Sequence, residues 1–223
     1  MIEALHQYQG QLLEGLGTTL VVGVASFVVG FVIAAALAPL AVYGPPATRK
    51  IIMGYVALIR GLPELLVIFL VFYGGTVLFT KIVGRYVEVD ALTAGVVSLA
   101  FVAAAYLTEI LRGALLSVSQ GQWEAALSLG FRRPRAFVLV ILPQMMARAL
   151  PGLGNQWLVI LKESALVSVV GLEELMRKSV VAAGATHQPL AFYLAAAGLY
   201  VIVTGVSTLL LRAYEQRLTP HLR

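Results

Sequence analysis

LGTTLVVGVASFVVGFVIAAALAPLA, residues 16–41, is a run of apolar and small residues without a single Asp, Glu, Lys or Arg. At about 1.5 Å per residue, a helix of this length exceeds the roughly 30 Å hydrocarbon core of a bilayer. Lipid offers no hydrogen-bond partners, so a crossing segment must satisfy its own backbone, as a helix or in a closed barrel. The run lacks the two-residue alternation of a barrel strand, which decides for helix. The charge-free stretch continues to Arg49 behind an acidic leader, Glu3 and Glu14, and is too long and wrongly flanked for a cleaved signal peptide.

The rest of the 223 residues follows the same pattern: 60% hydrophobic, 12% charged, mean hydropathy +0.90, more apolar surface than one soluble core can hide. Four further apolar regions, 58–80, 91–112, 138–161 and 190–211, predict an all-α membrane protein. It has about five transmembrane helices in one domain, 1–223. Arg60 and Glu64 flank Pro63 near the start of the second region, and the fourth contains Arg148 and Pro151, so both are expected to kink or to lie partly outside hydrocarbon. Residues 163–188 are too polar in GLEELMRKS to cross and too apolar in SALVSVVG for a simple loop. The expectation there is a short re-entrant or interfacial element on the outer side. Gly74–Gly75 and Gly152–Gly154 permit close helix approach or local unwinding, with packing between helices the default reading.

A net charge of +5 is consistent with nucleic acid in principle, but the cations sit in short gaps between apolar runs and form no basic face. They report topology instead. One side collects Arg49, Lys50, Arg132, Arg133, Arg135, Arg212, Arg217 and Arg223. The other holds Lys81, Arg85, Arg177 and Lys178, offset by Glu88, Asp90, Glu173 and Glu174. The N-terminus is therefore expected outside and the C-terminus in the cytoplasm. No cysteine is present, and His6, His187 and His221 lie far apart, so no metal site is expected.

Between the third and fourth spans, on the cytoplasmic side, lies SVSQGQWEAALSLGFRRPRAFVLVILP, residues 117–143. It reads as a short helix at 119–130. Ser119 and Gln122 form a capping box, Glu124 sits in the first turn, Gly130 is a left-handed cap, and Pro134 starts the next helix. Ala125 and Ala126 beside Trp123 and Leu127 make a compact ridge for a partner's groove, or else the helix is an ordinary connector on the membrane surface.

Glu124-Ala125-Ala126, Gly130, and Ile141-Leu142-Pro143 resemble the signature of the permease subunits of binding-protein-dependent ABC importers. Thr18-Thr19-Leu20, Arg60-Gly61-Leu62-Pro63-Glu64-Leu65, Tyr106 with Glu109, Arg112-Gly113-Ala114 and Leu161-Lys162 extend the likeness to the polar amino acid branch. Within that branch the histidine, arginine, lysine and opine permeases are most similar, with Glu163 standing where the histidine type is expected to carry a small hydroxyl residue. The resemblance implies the type I importer permease fold in a bacterial inner membrane. It also implies a coupling helix, with Trp123, Glu124, Ala125, Ala126, Gly130 and Pro143 facing the ATPase. The implied partners are two ATPase subunits that use ATP and Mg, a solute-binding protein, a second permease subunit, identical or homologous, and an amino acid substrate. The chain carries no GxxxxGK[ST] loop, so neither an enzyme activity nor a bound cofactor is expected of it.

Ionisable groups inside spans are expensive and default to function. Glu109 and Arg112, three apart on a helix, form an intrahelical pair or part of the gate or pocket. Arg60 and Glu64, with Gly61 and Pro63, form a kink, pair or gate. Lys162 and Glu163 are adjacent and diverge by about 100°, so they cannot neutralise each other and one faces a water-filled cavity. Glu163 is the first choice for reading a cationic guest. Asn155, Gln156 and Trp157 either line the pocket or satisfy the kink at Pro151. Five spans are few to enclose a path, hence the expected second permease. Two rival readings remain: an ATP-independent channel or small secondary transporter, and a structural membrane subunit without a path.

Overall fold

A computed structural model describes residues 2–86 and 89–218; Glu88, His221, Arg223 and the side chain of Arg217 lie outside the described residues. Among the described residues, five helices are long and apolar enough to cross a membrane, and none of those residues forms strand.

Helix α1, Ile2–Tyr43, begins well before the expected residue 16. At 42 residues it measures about 63 Å, about twice the hydrocarbon thickness, so its N-terminal turns continue beyond the bilayer. There Leu12 packs against Leu175 and Phe192 in an apolar cluster outside the main core.

The expected span 58–80 is corrected. Helix α2, Pro46–Arg60, is a separate amphipathic helix, and α3, Glu64–Val83, is the spanning one. The break falls at Gly61-Leu62-Pro63 because Pro63 has no N–H to continue the ladder and disfavours helical geometry at Leu62. Gly61 caps α2 by donating to the Ala57 carbonyl. Hydropathy alone missed α2 because its polar face, with Arg49 and Lys50, breaks the apolar run.

Helix α4, Ala91–Ser117, starts at Asp90, whose carboxylate accepts from the Thr93 N–H and hydroxyl. It is the central post, packing against α1, α2, α3 and the fourth span, and Ala100 and Ala103–Ala105 keep it slim enough to do so. A Cβ on Gly30 of α1 would lie 2.8 Å from Ala103 Cβ, so these two helices touch nearly backbone to backbone.

After α5, Gln120–Ser128, the fourth span is a rod from Arg133 to Val170. It comprises α6, Arg133–Ala136, a π-helical turn Phe137–Ile141, α7, Leu142–Glu163, and a 3₁₀ stretch Ser164–Val170. The π turn precedes Pro143, whose ring clashes with the carbonyl four residues back, so the ladder widens there. Gly152 sits where a Cβ would meet Ile110 at 2.8 Å, whereas Gly74 has no neighbour that close. Residues 163–188 resolve into the 3₁₀ stretch and α8, Leu175–Thr186, which packs on α1 and α9, Pro189–Leu218.

Candidate functional site

Two places bring the sequence-selected residues together. The first is α5. Ser119 is its N-cap but makes no side-chain cap bond, and the expected capping box is absent. Gln122 instead accepts a hydrogen bond from Gln144 Nε2 at 3.1 Å, tying α5 to α7. With Gln120 the first helical residue, Glu124 falls in the second turn, one turn later than expected. Gly130 does adopt the left-handed region, φ 83°, and Phe131 N–H donates back to the Ala126 carbonyl, closing the helix.

The expected ridge is also corrected. Ala126 is buried, and Trp123 turns inward, stacked on Phe137 at 6.3 Å and edge-on to Tyr43 at 6.1 Å. Period 3.6 puts these two residues on one face and leaves Glu124, Ala125 and Leu127 exposed on the other. A partner would meet that second triplet. Pro143, exposed at the start of α7, lies next to the Gln144 tether.

The second place is where the α2–α3 break, the middle of α4 and the end of α7 converge. The Arg60 guanidinium lies 5.4 Å over the Tyr106 ring. The Tyr106 hydroxyl interacts with Glu64 and stands within the field of Glu163. Glu109 and Arg112 form a two-bond fork, 2.9 and 2.7 Å, on the same helix. The structure thus favours the intrahelical pair for them. Arg60 faces Tyr106, and among the described residues no ion pair joins it to Glu64.

On α7, Gln156 and Glu163 are seven residues apart and share a face, separated by about 10.5 Å along the axis. Both carry a buried atom without a hydrogen-bond partner, Gln156 Nε2 and Glu163 Oε2. An orphaned donor and an orphaned acceptor on one stripe are suited to a guest with opposite charges at its ends. Asn155 and Lys162 occupy the neighbouring stripe and are exposed. Trp157 points elsewhere, edge-on to Phe27 at 5.8 Å and bordering an apolar cavity. Tyr106, the hub of the cluster, was visible in the sequence only through its place beside Glu109.

A third constellation was not anticipated. Glu174, fully buried, caps α8 by accepting from the Met176 and Arg177 N–H groups at 2.9 and 2.8 Å. It also accepts from the hydroxyls of Thr19 in α1, 3.3 Å, and Tyr200 in α9, 3.1 Å. Burial pushes its carboxyl above the ordinary range, and these four donors hold it back. Beside it Lys178 bridges Glu173 at 2.7 Å and Glu14 at 3.4 Å. That contact lowers the Glu173 carboxyl and raises the Lys178 ammonium.

The chain matches the family profile of binding-protein-dependent transport system inner membrane components over residues 26–220. It is 42% identical over 165 residues to the arginine ABC transporter permease protein ArtQ of Haemophilus influenzae, covering 74% of this chain and 75% of that one. It is 37% identical to the histidine/lysine/arginine/ornithine transport system permease protein HisQ of Escherichia coli, covering 96% of this chain and 95% of that one. A crystal structure of an amino acid ABC transporter with histidines superposes with a TM-score of 0.86 at 31% identity, covering 97% of this chain and 98% of that one.

Proposed function

This chain belongs to the family of binding-protein-dependent transport system inner membrane components, and from that premise we propose that it imports a polar or basic amino acid. Its relatives are permease subunits of amino acid ABC importers, and it is the transmembrane permease subunit of such an importer. ATP and Mg are handled by two partner ATPase subunits, and a solute-binding protein delivers substrate from outside. A second permease copy or homologue completes the path.

In this reading the N-terminus lies outside and the C-terminus in the cytoplasm, so that α5 meets the ATPases. ATP binding closes those subunits and draws the two α5 helices together. The motion enters the bundle through the Trp123–Phe137 stack and the Gln122–Gln144 tether, at the π turn in front of α7. It tips the cavity outward, and hydrolysis resets it. Because α7 carries Gln156 and Glu163, the same rod links the drive to the pocket.

The observation that carries the substrate assignment is the buried, unpartnered Glu163 Oε2 beside the Arg60–Tyr106–Glu64 cluster. A carboxylate acceptor in a site of low dielectric favours a cationic side chain. Gln156, about two turns away, offers its N–H₂ to the substrate carboxylate. The test is amino-acid-stimulated ATP hydrolysis by the reconstituted complex. Arginine, lysine and histidine are expected to stimulate, and Glu163→Gln to weaken their effect at least tenfold, the loss of one charge-assisted bond of about 1.5 kcal/mol or more. Stimulation confined to neutral or acidic amino acids, or a Glu163→Gln variant indistinguishable from wild type, overturns the assignment. Solute movement by the chain without any ATPase favours the channel reading instead.

A further inference from the structure

Helices α4 and α7 run in opposite directions. Arg148 of α7 donates to the Ser117 carbonyl at the end of α4, and a Cβ on Gly152 would meet Ile110 at 2.8 Å, so positions rise along α7 as they fall along α4. One helical turn beyond the Ile110–Gly152 contact, Tyr106 of α4 comes level with Gln156 of α7. That level is near the middle of the 27-residue span Ala91–Ser117, at the depth of hydrocarbon.

At the same level stands the Arg60 guanidinium, 5.4 Å over the Tyr106 ring. Arg60 is the last residue of α2, exposed, just ahead of the break at Gly61–Pro63. A cation at this depth is too expensive to face lipid, so it faces a polar cavity or a partner of opposite charge. Yet among the described residues it makes no ion pair. Glu109 stands in its field but gives both oxygens to the Arg112 fork, and Glu64 engages the Tyr106 hydroxyl. Glu163, about 10.5 Å along α7 from Gln156, keeps Oε2 without a partner. A cation and an anion thus remain unspent at the two ends of one polar site. Charges left so in a low dielectric are costly by themselves and are offset by a guest that carries the opposite sign at each end.

Resting for the substrate's cationic group on the reading of Glu163 given above, we propose that Arg60 is a specificity-determining residue that takes the substrate's α-carboxylate. Its planar guanidinium matches a carboxylate as a two-bond fork, which the neutral Gln156 amide does not. Gln156 Nε2 adds one directed bond from α7 at the same level, and the Tyr106 ring backs the guanidinium without supplying an anion. The dimensions agree. An extended arginine has about 7–8 Å between its carboxylate and guanidinium carbons, and a hydrogen bond of about 3 Å at one end brings it to the Gln156–Glu163 interval. An amine without a carboxylate would leave Arg60 as uncompensated as it is in the empty site.

The test is equilibrium binding to the purified permease–ATPase complex without its binding protein, which removes selection by the delivery step. Three probes separate the two ends: arginine, argininamide, which lacks the carboxylate, and citrulline, which keeps it but has a neutral side chain. Arg60→Gln should weaken arginine and citrulline about tenfold, the loss of a charge-assisted contact, and leave argininamide within about twofold. Arg60→Lys keeps the charge and loses the fork, so it should give a smaller loss with the same selectivity among probes, and it serves if the Gln variant fails to fold. Glu163→Gln should show the converse pattern, weakening arginine and argininamide and sparing citrulline. Equal weakening of arginine and argininamide by both Arg60 variants overturns the proposal in favour of a structural role. Tighter arginine binding by Arg60→Gln also overturns it, since Arg60 would then repel the guest. Loss of the Glu163 pattern alone, with the Arg60 pattern intact, sinks the cationic reading of Glu163 and supports the carboxylate assignment.

Discussion

The hydroxyl of Thr19 lies 3.3 Å from a carboxylate oxygen of Glu174, joining the first helix to the start of α8 across 155 residues of chain. Thr19 is itself a relay. Its single hydroxyl proton is shared between the Gly15 carbonyl, at 3.0 Å, and Glu174, while its oxygen accepts from the Leu175 N–H at 3.2 Å. One buried carboxylate therefore sets the mutual positions of α1, α8 and α9 on the side of the bundle away from α5. It does so with hydrogen bonds alone, since Lys178 pairs with Glu173 and Glu14 instead.

The Glu174 latch has a pH signature. Its carboxyl is raised in the folded protein, so protonation favours folding. That contribution is full below the ordinary glutamate range and is lost as pH rises through the raised value. Glu173 has the opposite sign: its carboxyl is lowered, so its contribution is present above the ordinary range and is lost as the medium is acidified. Glu174→Gln should therefore gain thermal stability relative to wild type as pH climbs from acid towards neutral. Glu174→Ala should lose about 1–3 kcal/mol at every pH, having removed the acceptor of the Met176 and Arg177 N–H groups and of the Tyr200 hydroxyl. Melting curves of the detergent-solubilised protein across pH decide, and a wild-type-to-Gln difference that does not change with pH would sink the idea.

Gly130 sits at φ 83° with no atom within 4 Å of a built Cβ, so the obstacle to a side chain there is backbone geometry and not space. Gly130→Val should cost about 1–2 kcal/mol locally and fray the end of α5. Trp123→Ala should free the same helix from Phe137 and Tyr43. Both variants are expected to insert and to retain their five spans, yet to lose most substrate-stimulated ATP hydrolysis in the assembled complex. Full stimulation in both would show that α5 does not transmit the drive.

Glu109 and Arg112 are each about a quarter exposed and make a two-bond fork on one helix. A double-mutant cycle with Glu109→Gln and Arg112→Gln, read by thermal unfolding, should give a coupling energy of about 0.5–1 kcal/mol. If the pair is structural, the double variant recovers transport that either single variant loses. Failure of the double variant to recover, with stability restored, would place one of the two groups in the path instead.

The helical membrane fold and the count of spans were legible because hydropathy and length are local properties, and lipid punishes any other arrangement of 16–41. The left-handed Gly130 and the kink at Pro63 were legible for the same reason: each follows from one residue's own backbone. Helix α2 was missed because a half-polar helix lying before a proline has no long apolar run to announce it. The Ser119–Gln122 box failed because Gln122 found a better partner, Gln144, twenty-two residues away. Asn155, Gln156 and Trp157 were adjacent in sequence and so entered together as pocket residues, yet successive helical positions diverge by about 100°, which sent them to three different surroundings.

By itself the sequence determined that this chain lives in lipid as a bundle of helices, where those helices must break, and which short segment carries the importer signature. These properties depend on the backbone and on neighbours a few positions away. Only the tertiary structure decided that Glu174 would be a buried hub rather than a loop charge, and that Gln156 and Glu163 would keep orphaned polar atoms on one face. Each of those outcomes depends on what another helix places opposite, and burial, unlike periodicity, is a property no residue possesses alone.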